Sequence, residues 1–179
     1  MSTIKIRVAG FGGQGVILSG YIIGKAASIY DKKEATLIQS YGPEARGEAC
    51  SSQVIISDTT INYPLVDTPD VLIAMSQEGY KKFEASVKKD GVILVDEDLV
   101  SPSPTDNRVM KIPATRIAEE LGRKVVANMV MLGFFTSQCK IVSIDGMRDS
   151  IETSVLKGTE ELNLNAFNHG YEYKKFKKT

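Results

Sequence analysis

The hydrophobic positions along the chain form short apolar runs that alternate with segments of helical spacing, which is typical of an α/β protein. The first run, residues 4–9, leads into a glycine-rich turn and then a helical pattern from residue 16 to about residue 30. Two further runs, "EATLIQSY" and "EACSSQVIIS", predict strands separated only by the polar turn "GPEARG". Because so short a link cannot hold a crossover helix, we expect this pair to be antiparallel or splayed.

The remainder of the chain continues the alternation of strand and helix. Strands are predicted in "TPDVLIAMS", "DGVILVDEDLV" and "RVMKIPA", and helices in "QEGYKKFEASV", "TRIAEELGR", "NMVMLGFFTSQC", "DGMRDSIETSVL" and one segment of the charged tail. This order predicts a three-layer α/β/α fold with a mainly parallel, mixed sheet and a Rossmann-like glycine turn. Since neither a repeat nor a low-complexity linker interrupts the 179 residues, we expect a single domain over residues 1–179.

Composition narrows the classes of partner. Lysine plus arginine and aspartate plus glutamate number 22 each, so no net field favours a nucleic acid or an anionic membrane. No apolar run approaches the roughly 20 residues that span a bilayer, and the first residues carry no signal-peptide pattern. We therefore expect a cytoplasmic protein. Cys50 and Cys139 are far apart, which predicts free, partly buried thiols and no zinc or iron–sulfur site on this chain.

The stretch "VAGFGGQGV" carries the first candidate site. Gly10, Gly12 and Gly15 have the G-x-G-x-x-G spacing, with Gly13 as an extra glycine. Free backbone N–H groups at the start of a helix suit the binding of a phosphate. In such a site Gly10 would allow the tight turn, Gly12 would let the backbone approach the ligand closely, and Gly15 would allow the strand and the helix to pack closely. A tight strand-to-helix turn needs glycine whatever it binds, so a purely structural role stays open. A nicotinamide site is disfavoured, because the next strand ends "LIQSYG" and offers no carboxylate for the ribose.

The stretch "SYGPEARGE" carries the second candidate site, at the predicted carboxyl end of the second strand. Ligand contacts in open α/β sheets collect at that edge. Arg46 could hold a phosphate or carboxylate with two hydrogen bonds, or it could pair with Glu44 and anchor the loop.

Three weaker candidates lie further along the chain. Residues 96–98, "DED", could hold a cation, although a solvated strand end is the simpler interpretation. Asn128 is first interpreted as a helix N-cap, and His169 as a surface residue. The apolar stretch "MVMLGFF" is either core or a subunit contact.

Several of these motifs, in order, resemble the gamma subunit of 2-oxoacid:ferredoxin oxidoreductases. The resemblance rests on "GFGGQGV", "SYGPEARG", "SSQVIIS", "DVLIAMSQE" and "RIAEELGRKVVANMVMLG", spans roughly residues 4–133, and is nearest to the 2-oxoglutarate and branched-chain types. Glu48 departs from the glycine that is common in the family at that position.

The resemblance implies a multisubunit enzyme that oxidatively decarboxylates a 2-oxoacid, forms an acyl-CoA and reduces ferredoxin. The 2-oxoacid that the resemblance favours is 2-oxoglutarate. The resemblance also implies thiamine diphosphate, Mg²⁺, iron–sulfur clusters and CoA in the complex, none of them bound by this chain alone. The implied partners are alpha and beta subunits, with a delta subunit as a further candidate. Two other hypotheses are a stand-alone dinucleotide- or phosphate-binding enzyme and a purely architectural subunit.

We expect no catalytic residue and no metal ligand on this chain. We expect cofactor contacts from the two loops and from Asn128, namely Gly10, Gly12, Gly13, Gln14, Gly15, Ser40, Tyr41, Gly42, Glu44, Arg46, Gly47 and Asn128.

Overall fold

A six-stranded sheet in the order β2-β3-β1-β4-β5-β6 forms the centre of the fold. The structure is a computed structural model that describes residues 3–40 and 50–174. Its strands are Ile4–Gly10 (β1), Glu34–Ser40 (β2), Cys50–Ser57 (β3), Val71–Ala74 (β4), Val92–Asp96 (β5) and Val109–Ile112 (β6).

The sheet is mixed, as the sequence predicted. β1, β4, β5 and β6 run parallel to one another, whereas β3 is antiparallel to both of its neighbours, β1 and β2. The expected antiparallel pairing of β2 and β3 is therefore confirmed. Because two antiparallel steps separate β2 from β1, these two strands end at the same edge of the sheet.

Six α-helices lie within residues 3–40 and 50–174, and not all of them pack directly on the sheet. They are Val16–Lys25 (α1), Gln77–Phe83 (α2), Ala114–Glu120 (α3), Ala127–Cys139 (α4), Ile144–Glu152 (α5) and Glu160–Glu172 (α6), and a π-helical turn over Ala26–Tyr30 extends α1. α1 and α4 pack on the face that carries Ile6 and Val8, and α2 packs on the face that carries Ala9. Alternate residues of β1 thus enter two separate hydrophobic layers, which confirms the α/β fold.

The apolar stretch of α4 belongs to the core of this chain. Met129, Val130, Met131 and Leu132 are each at most 1% exposed, as expected for a helix that is hydrophobic on all sides. α4 also packs closely on α6. A Cβ at Gly133 would overlap the carbonyl oxygen of Phe167, and one at Gly170 would overlap that of Val130. The backbones of the two helices are therefore in direct contact where they cross. Of the two interpretations of "MVMLGFF", the structure supports a place in the core of this chain.

Three smaller expectations can also be compared with the structure. His169 is exposed on α6, as predicted. Cys50 and Cys139 are free and partly buried, as predicted, and burial raises the pKa of the Cys139 thiol to about 12. Within residues 3–40 and 50–174, no helix combines the length and the apolar character needed to cross a membrane.

Candidate functional site

The glycine turn between β1 and α1 uses its glycines for different reasons. Gly13 and Gly15 have φ angles of 88° and 73°, in the left-handed region that side chains other than glycine rarely adopt. A Cβ on Gly12 or Gly13 would meet no atom of the described chain within 4 Å. The backbone of Gly12 and Gly13 is therefore open to a ligand.

Gln14 holds the turn in place. The N–H of Phe11 donates to Gln14 Oε1 at 2.6 Å, and Gln14 Nε2 donates to the carbonyl oxygen of Met75 at 2.8 Å. A Cβ on Gly10 would lie 2.6 Å from the same Oε1 atom. Gly10 thus leaves room for the Gln14 side chain, which joins the turn to the segment that follows β4.

Asn128 lies against the turn, in a position that the sequence did not predict. α4 begins at Ala127 with Val126 at the cap position, so the N-cap interpretation of Asn128 is wrong, and the residue is 3% exposed. A Cβ on Gly15 would overlap Asn128 Nδ2. The close neighbour of Gly15 is therefore the start of α4. Tight contact between α1 and a strand occurs instead at Gly20, where a Cβ would overlap the hydroxyl of Ser52.

Both predicted loops leave the sheet at one edge. Gly10 pairs with Cys50, and Ser40 pairs with Ser51, so the ends of β1 and β2 flank the first residues of β3. Five predicted contact residues lie outside the described residues, namely Tyr41, Gly42, Glu44, Arg46 and Gly47. The described residues on either side of them, Ser40 and Cys50, lie at the edge that carries the glycine turn.

A pocket of about 240 Å³ opens beside the turn, over the carboxyl ends of β4 and β5. Its wall combines turn backbone, aliphatic side chains and three polar side chains besides Gln14. The lining residues are Gly13, Gln14, Met75, Asp96, Leu99, Thr115, Lys124, Val125 and Ala127.

Asp96 is a buried polar residue of the wall, fully shielded from solvent at the end of β5. Its carboxylate accepts hydrogen bonds from Thr115 N at 3.1 Å, Thr115 Oγ1 at 2.6 Å and Asp98 N at 3.2 Å. Burial raises the pKa of Asp96, and these hydrogen bonds oppose the shift. The prediction of a solvated strand end is therefore wrong at Asp96, whose carboxylate fixes the start of α3.

The neighbouring acids do not form a cation site. Arg116 Nη2 lies 2.7 Å from Asp98 Oδ1 and 3.6 Å from Glu97 Oε1, so both carboxylates face a guanidinium. Over the described part of the chain, no group of three or more histidine, cysteine, aspartate or glutamate side chains could hold a metal ion.

Lys124 is the cation at the mouth of the pocket, and the sequence analysis did not single it out. Its Nζ lies 3.7 Å from Glu119 Oε1, and both side chains are mostly exposed, so the pair is weak and the ammonium group stays available. Exposed Val125 lies next to it on the rim, at 66% exposure. The sequence signal for Lys124 is its position just before the helix that contains Asn128, which the sequence analysis did name as a candidate contact.

Comparisons with known proteins find similarity along almost the whole chain. The family model described as pyruvate ferredoxin/flavodoxin oxidoreductase matches residues 5–173. The 2-oxoglutarate synthase subunit KorC of Methanocaldococcus jannaschii is 54% identical over 175 residues, which cover 96% of this chain and 94% of that protein.

Two solved structures are similar in fold. A keto/oxoacid ferredoxin oxidoreductase gamma subunit from Geobacter sulfurreducens has a TM-score of 0.84 and 41% identity, over 94% of this chain and 96% of its own. The 2-oxoglutarate:ferredoxin oxidoreductase of Magnetococcus marinus, solved with 2-oxoglutarate, coenzyme A and succinyl-CoA bound, has a TM-score of 0.82 at 25% identity, over 95% of this chain and 30% of its own. The chain therefore belongs to the pyruvate ferredoxin/flavodoxin oxidoreductase family, which confirms its resemblance to the gamma subunits of 2-oxoacid:ferredoxin oxidoreductases.

Proposed function

We propose that this chain is the gamma subunit of a 2-oxoglutarate:ferredoxin oxidoreductase and that its carboxyl sheet edge forms one wall of the CoA site. The complex would oxidatively decarboxylate 2-oxoglutarate, form succinyl-CoA and reduce ferredoxin. The choice of 2-oxoglutarate rests on the 54% identity to a 2-oxoglutarate synthase subunit. The wall assignment rests on the open backbone of Gly12 and Gly13 beside a pocket of about 240 Å³.

The redox and thiamine cofactors do not fit this chain. Iron–sulfur clusters are bound by four thiolates, whereas the sequence contains two cysteines. Among the described residues there is also no group of three or more histidine, cysteine, aspartate or glutamate side chains that could hold a metal ion. We therefore assign thiamine diphosphate, Mg²⁺ and the clusters to the alpha and beta subunits, or to a delta subunit.

CoA fits the edge in its charge and in its shape. Its phosphates suit the N–H groups of the glycine turn and the positive end of α1, and Lys124 adds a cation to the wall of the same pocket. The aliphatic side chains of Met75, Leu99 and Val125 offer contact to an uncharged part of the molecule. Arg46, which the sequence places on the neighbouring loop, would add a second cation.

The role of this chain in catalysis is then to bind and orient. The hydrogen bonds of Gln14 hold the turn, and Asn128 packs against Gly15, so the N–H groups of the turn are preorganised before a ligand arrives. A thiol acceptor held against a partner subunit reacts faster than one that diffuses freely, because orientation is fixed in advance. Asp96 contributes indirectly, since it anchors the start of α3 in the wall of the pocket.

Co-expression tests the assignment. The chain is produced with its alpha and beta subunits, and the purified complex is assayed for ferredoxin reduction with a panel of 2-oxoacids and CoA. We expect the highest kcat/KM with 2-oxoglutarate, and we expect the chain alone to be colourless and inactive. A complex that prefers pyruvate would overturn the substrate, and a chain that is active alone would overturn the subunit role.

A further inference from the structure

Asn128 is a buried side chain whose hydrogen-bonding groups are unused. It lies near the start of α4 and is 3% exposed. Within residues 3–40 and 50–174 its amide has no hydrogen-bond partner. The other buried asparagine of those residues, Asn163, donates through Nδ2 to the carbonyl oxygen of Thr159 at 2.8 Å and to its hydroxyl at 3.0 Å. Burial of an amide without a partner lowers stability, so the unused amide of Asn128 needs an explanation.

The Asn128 amide can still be reached by a small ligand group. Among the described residues, only Arg7 has a side-chain nitrogen or oxygen atom that is fully shielded from solvent and also lacks a hydrogen-bond partner. The amide of Asn128 lacks a partner and is not in that state, so a water-sized atom can touch it. A ligand oxygen can therefore take the place of the missing partner.

The amide lies against the start of α1, where backbone donors are also unused. A Cβ on Gly15, the N-cap residue of α1, would overlap Asn128 Nδ2. The first hydrogen bond of the helix runs from Ser19 N to Gly15 O at 2.8 Å, so the N–H groups of residues 16–18 have no partner within the helix. They form the positive end of the helix dipole, which favours an anion.

The start of α1 has no side-chain cap. Its N-cap residue is a glycine, and its first turn contains no acidic residue. By contrast, α2 and α5 begin with the capping serines Ser76 and Ser143. At the start of α3, Asp96 accepts a hydrogen bond from Thr115 N. An uncapped helix of ten residues and an unused buried amide therefore meet at one place.

We infer that Asn128 donates a hydrogen bond to a phosphate group of CoA that is bound at the N-terminus of α1. The inference rests on the proposed CoA wall, and it adds the side chain that recognises the phosphate. An amide donor beside several free N–H groups is the chemistry that binds phosphate oxygens. The same amide has no role in holding this chain together, since it makes no hydrogen bond to the described residues.

The pocket of about 240 Å³ touches both helix starts. Its wall includes Gly13 and Gln14, just before the N-cap of α1, and Ala127, the first residue of α4. The carboxylate of Asp96 is at the end of β5, and β4 separates β5 from β1. A phosphate at the start of α1 is therefore kept apart from the negative charge in the wall of the pocket.

Substitution by leucine separates ligand binding from a structural role. Asn128→Leu is similar in size and has no donor, and it is assayed in the assembled complex. We expect kcat/KM for CoA to fall about 10- to 150-fold, which is the value of one charge-assisted hydrogen bond. We expect Tm to stay equal or to rise, because the variant loses no internal hydrogen bond and removes an unpaired buried amide.

Asn163→Leu is the matched control. It replaces the other buried asparagine, which lies outside the pocket wall, and it removes two hydrogen bonds to Thr159. This variant should lower Tm and keep the wild-type kcat/KM for CoA.

Asn128→Asp gives a second readout that needs no turnover. The carboxylate keeps the size of the amide, has no donor when it is ionised, and repels a phosphate. Titration calorimetry of the complex without a 2-oxoacid should show a CoA Kd that is raised at least about 10-fold. Tm should rise, because a carboxylate is favourable at a helix N-terminus.

Two forms of CoA identify the phosphate that Asn128 contacts. An equal loss in Asn128→Leu with CoA and with 3′-dephospho-CoA assigns the contact to the diphosphate, and a loss with CoA alone assigns it to the 3′-phosphate. Wild-type kcat/KM and Kd in both Asn128 variants would overturn the inference. If Gly13→Ala still lowers kcat/KM for CoA in that case, the proposed wall stands without Asn128, and if it does not, the wall fails as well.

Discussion

Substitution of Gly13 by alanine separates the strain of the glycine turn from its contact with a ligand. The matched control is Gly158→Ala, in the loop between α5 and α6. Gly13 and Gly158 have φ angles of 88° and 90°, and a Cβ on either residue would meet no atom within 4 Å. The two substitutions therefore impose the same backbone cost with no steric clash, and they differ only in position.

The expected cost in stability is equal for the two variants. A residue with a side chain in the left-handed region lowers the free energy of unfolding by about 1–2 kcal/mol. Alanine also lowers the conformational entropy of the unfolded chain, which offsets part of that loss. A net loss of about 1 kcal/mol lowers Tm by about 2–4 °C in a protein of this size. Thermal unfolding should therefore show the same decrease for Gly13→Ala and Gly158→Ala.

The two variants are expected to differ in kcat/KM for CoA. At Gly13 the methyl group would project into the space proposed for CoA and would displace a phosphate from the turn N–H groups. Loss of one charge-assisted hydrogen bond is worth about 1.5–3 kcal/mol, or about 10- to 150-fold in kcat/KM for CoA. The assay is ferredoxin reduction by the assembled complex at varied CoA concentration. Equal kcat/KM for the two variants would refute the proposed contact.

Three further predictions concern other parts of the molecule. Arg46→Ala should lower kcat/KM for CoA about 10- to 150-fold with assembly intact, and wild-type kinetics for both CoA and the 2-oxoacid would make its loop structural. Gly133→Ala should cost about 3 kcal/mol in urea unfolding, because the added methyl group would overlap an α6 carbonyl, and near-wild-type stability would contradict that crossing. Burial raises the pKa of Asp96, so folding binds a proton between its ordinary and its raised pKa, and stability falls as pH rises through that interval. Asp96→Asn should flatten this part of the stability–pH profile, and an unchanged slope would exclude Asp96 as its source.

The elements of the fold could be predicted because their signals are local. The apolar run before the glycine turn, the helical spacing after it and the short link between β2 and β3 each occupy a few consecutive residues. The antiparallel pairing followed from the length of that link alone. The same local signals predict that Gly10 and Ser40 lie at one edge, and their pairing with Cys50 and Ser51 of β3 confirms it.

The wall of the pocket could not be predicted, because its residues meet only after folding. Asp96 and Thr115 are 19 residues apart, and Gln14 reaches Met75 across 61 residues. The position of Asn128 before an apolar run predicts a cap there, whereas the cap of α4 is Val126, two residues earlier. Side-chain burial, which raises the pKa of Asp96, depends on packing from several elements and cannot be predicted from the neighbouring residues in the sequence.

The central position of β1 affects how the chain folds during synthesis. β1 is made first, yet its neighbours β3 and β4 extend to Ser57 and Ala74, so the middle of the sheet cannot close until residue 74 has left the ribosome. Until residue 57 has emerged the nascent chain carries β1 without either neighbour, and until residue 74 has emerged β1 still lacks β4 on one side. Contacts so distant in sequence form slowly. Slower translation just after residue 74 would give β1 time to pair before α4 emerges, whereas a chaperone that holds residues 4–10 would keep the strand from aggregating.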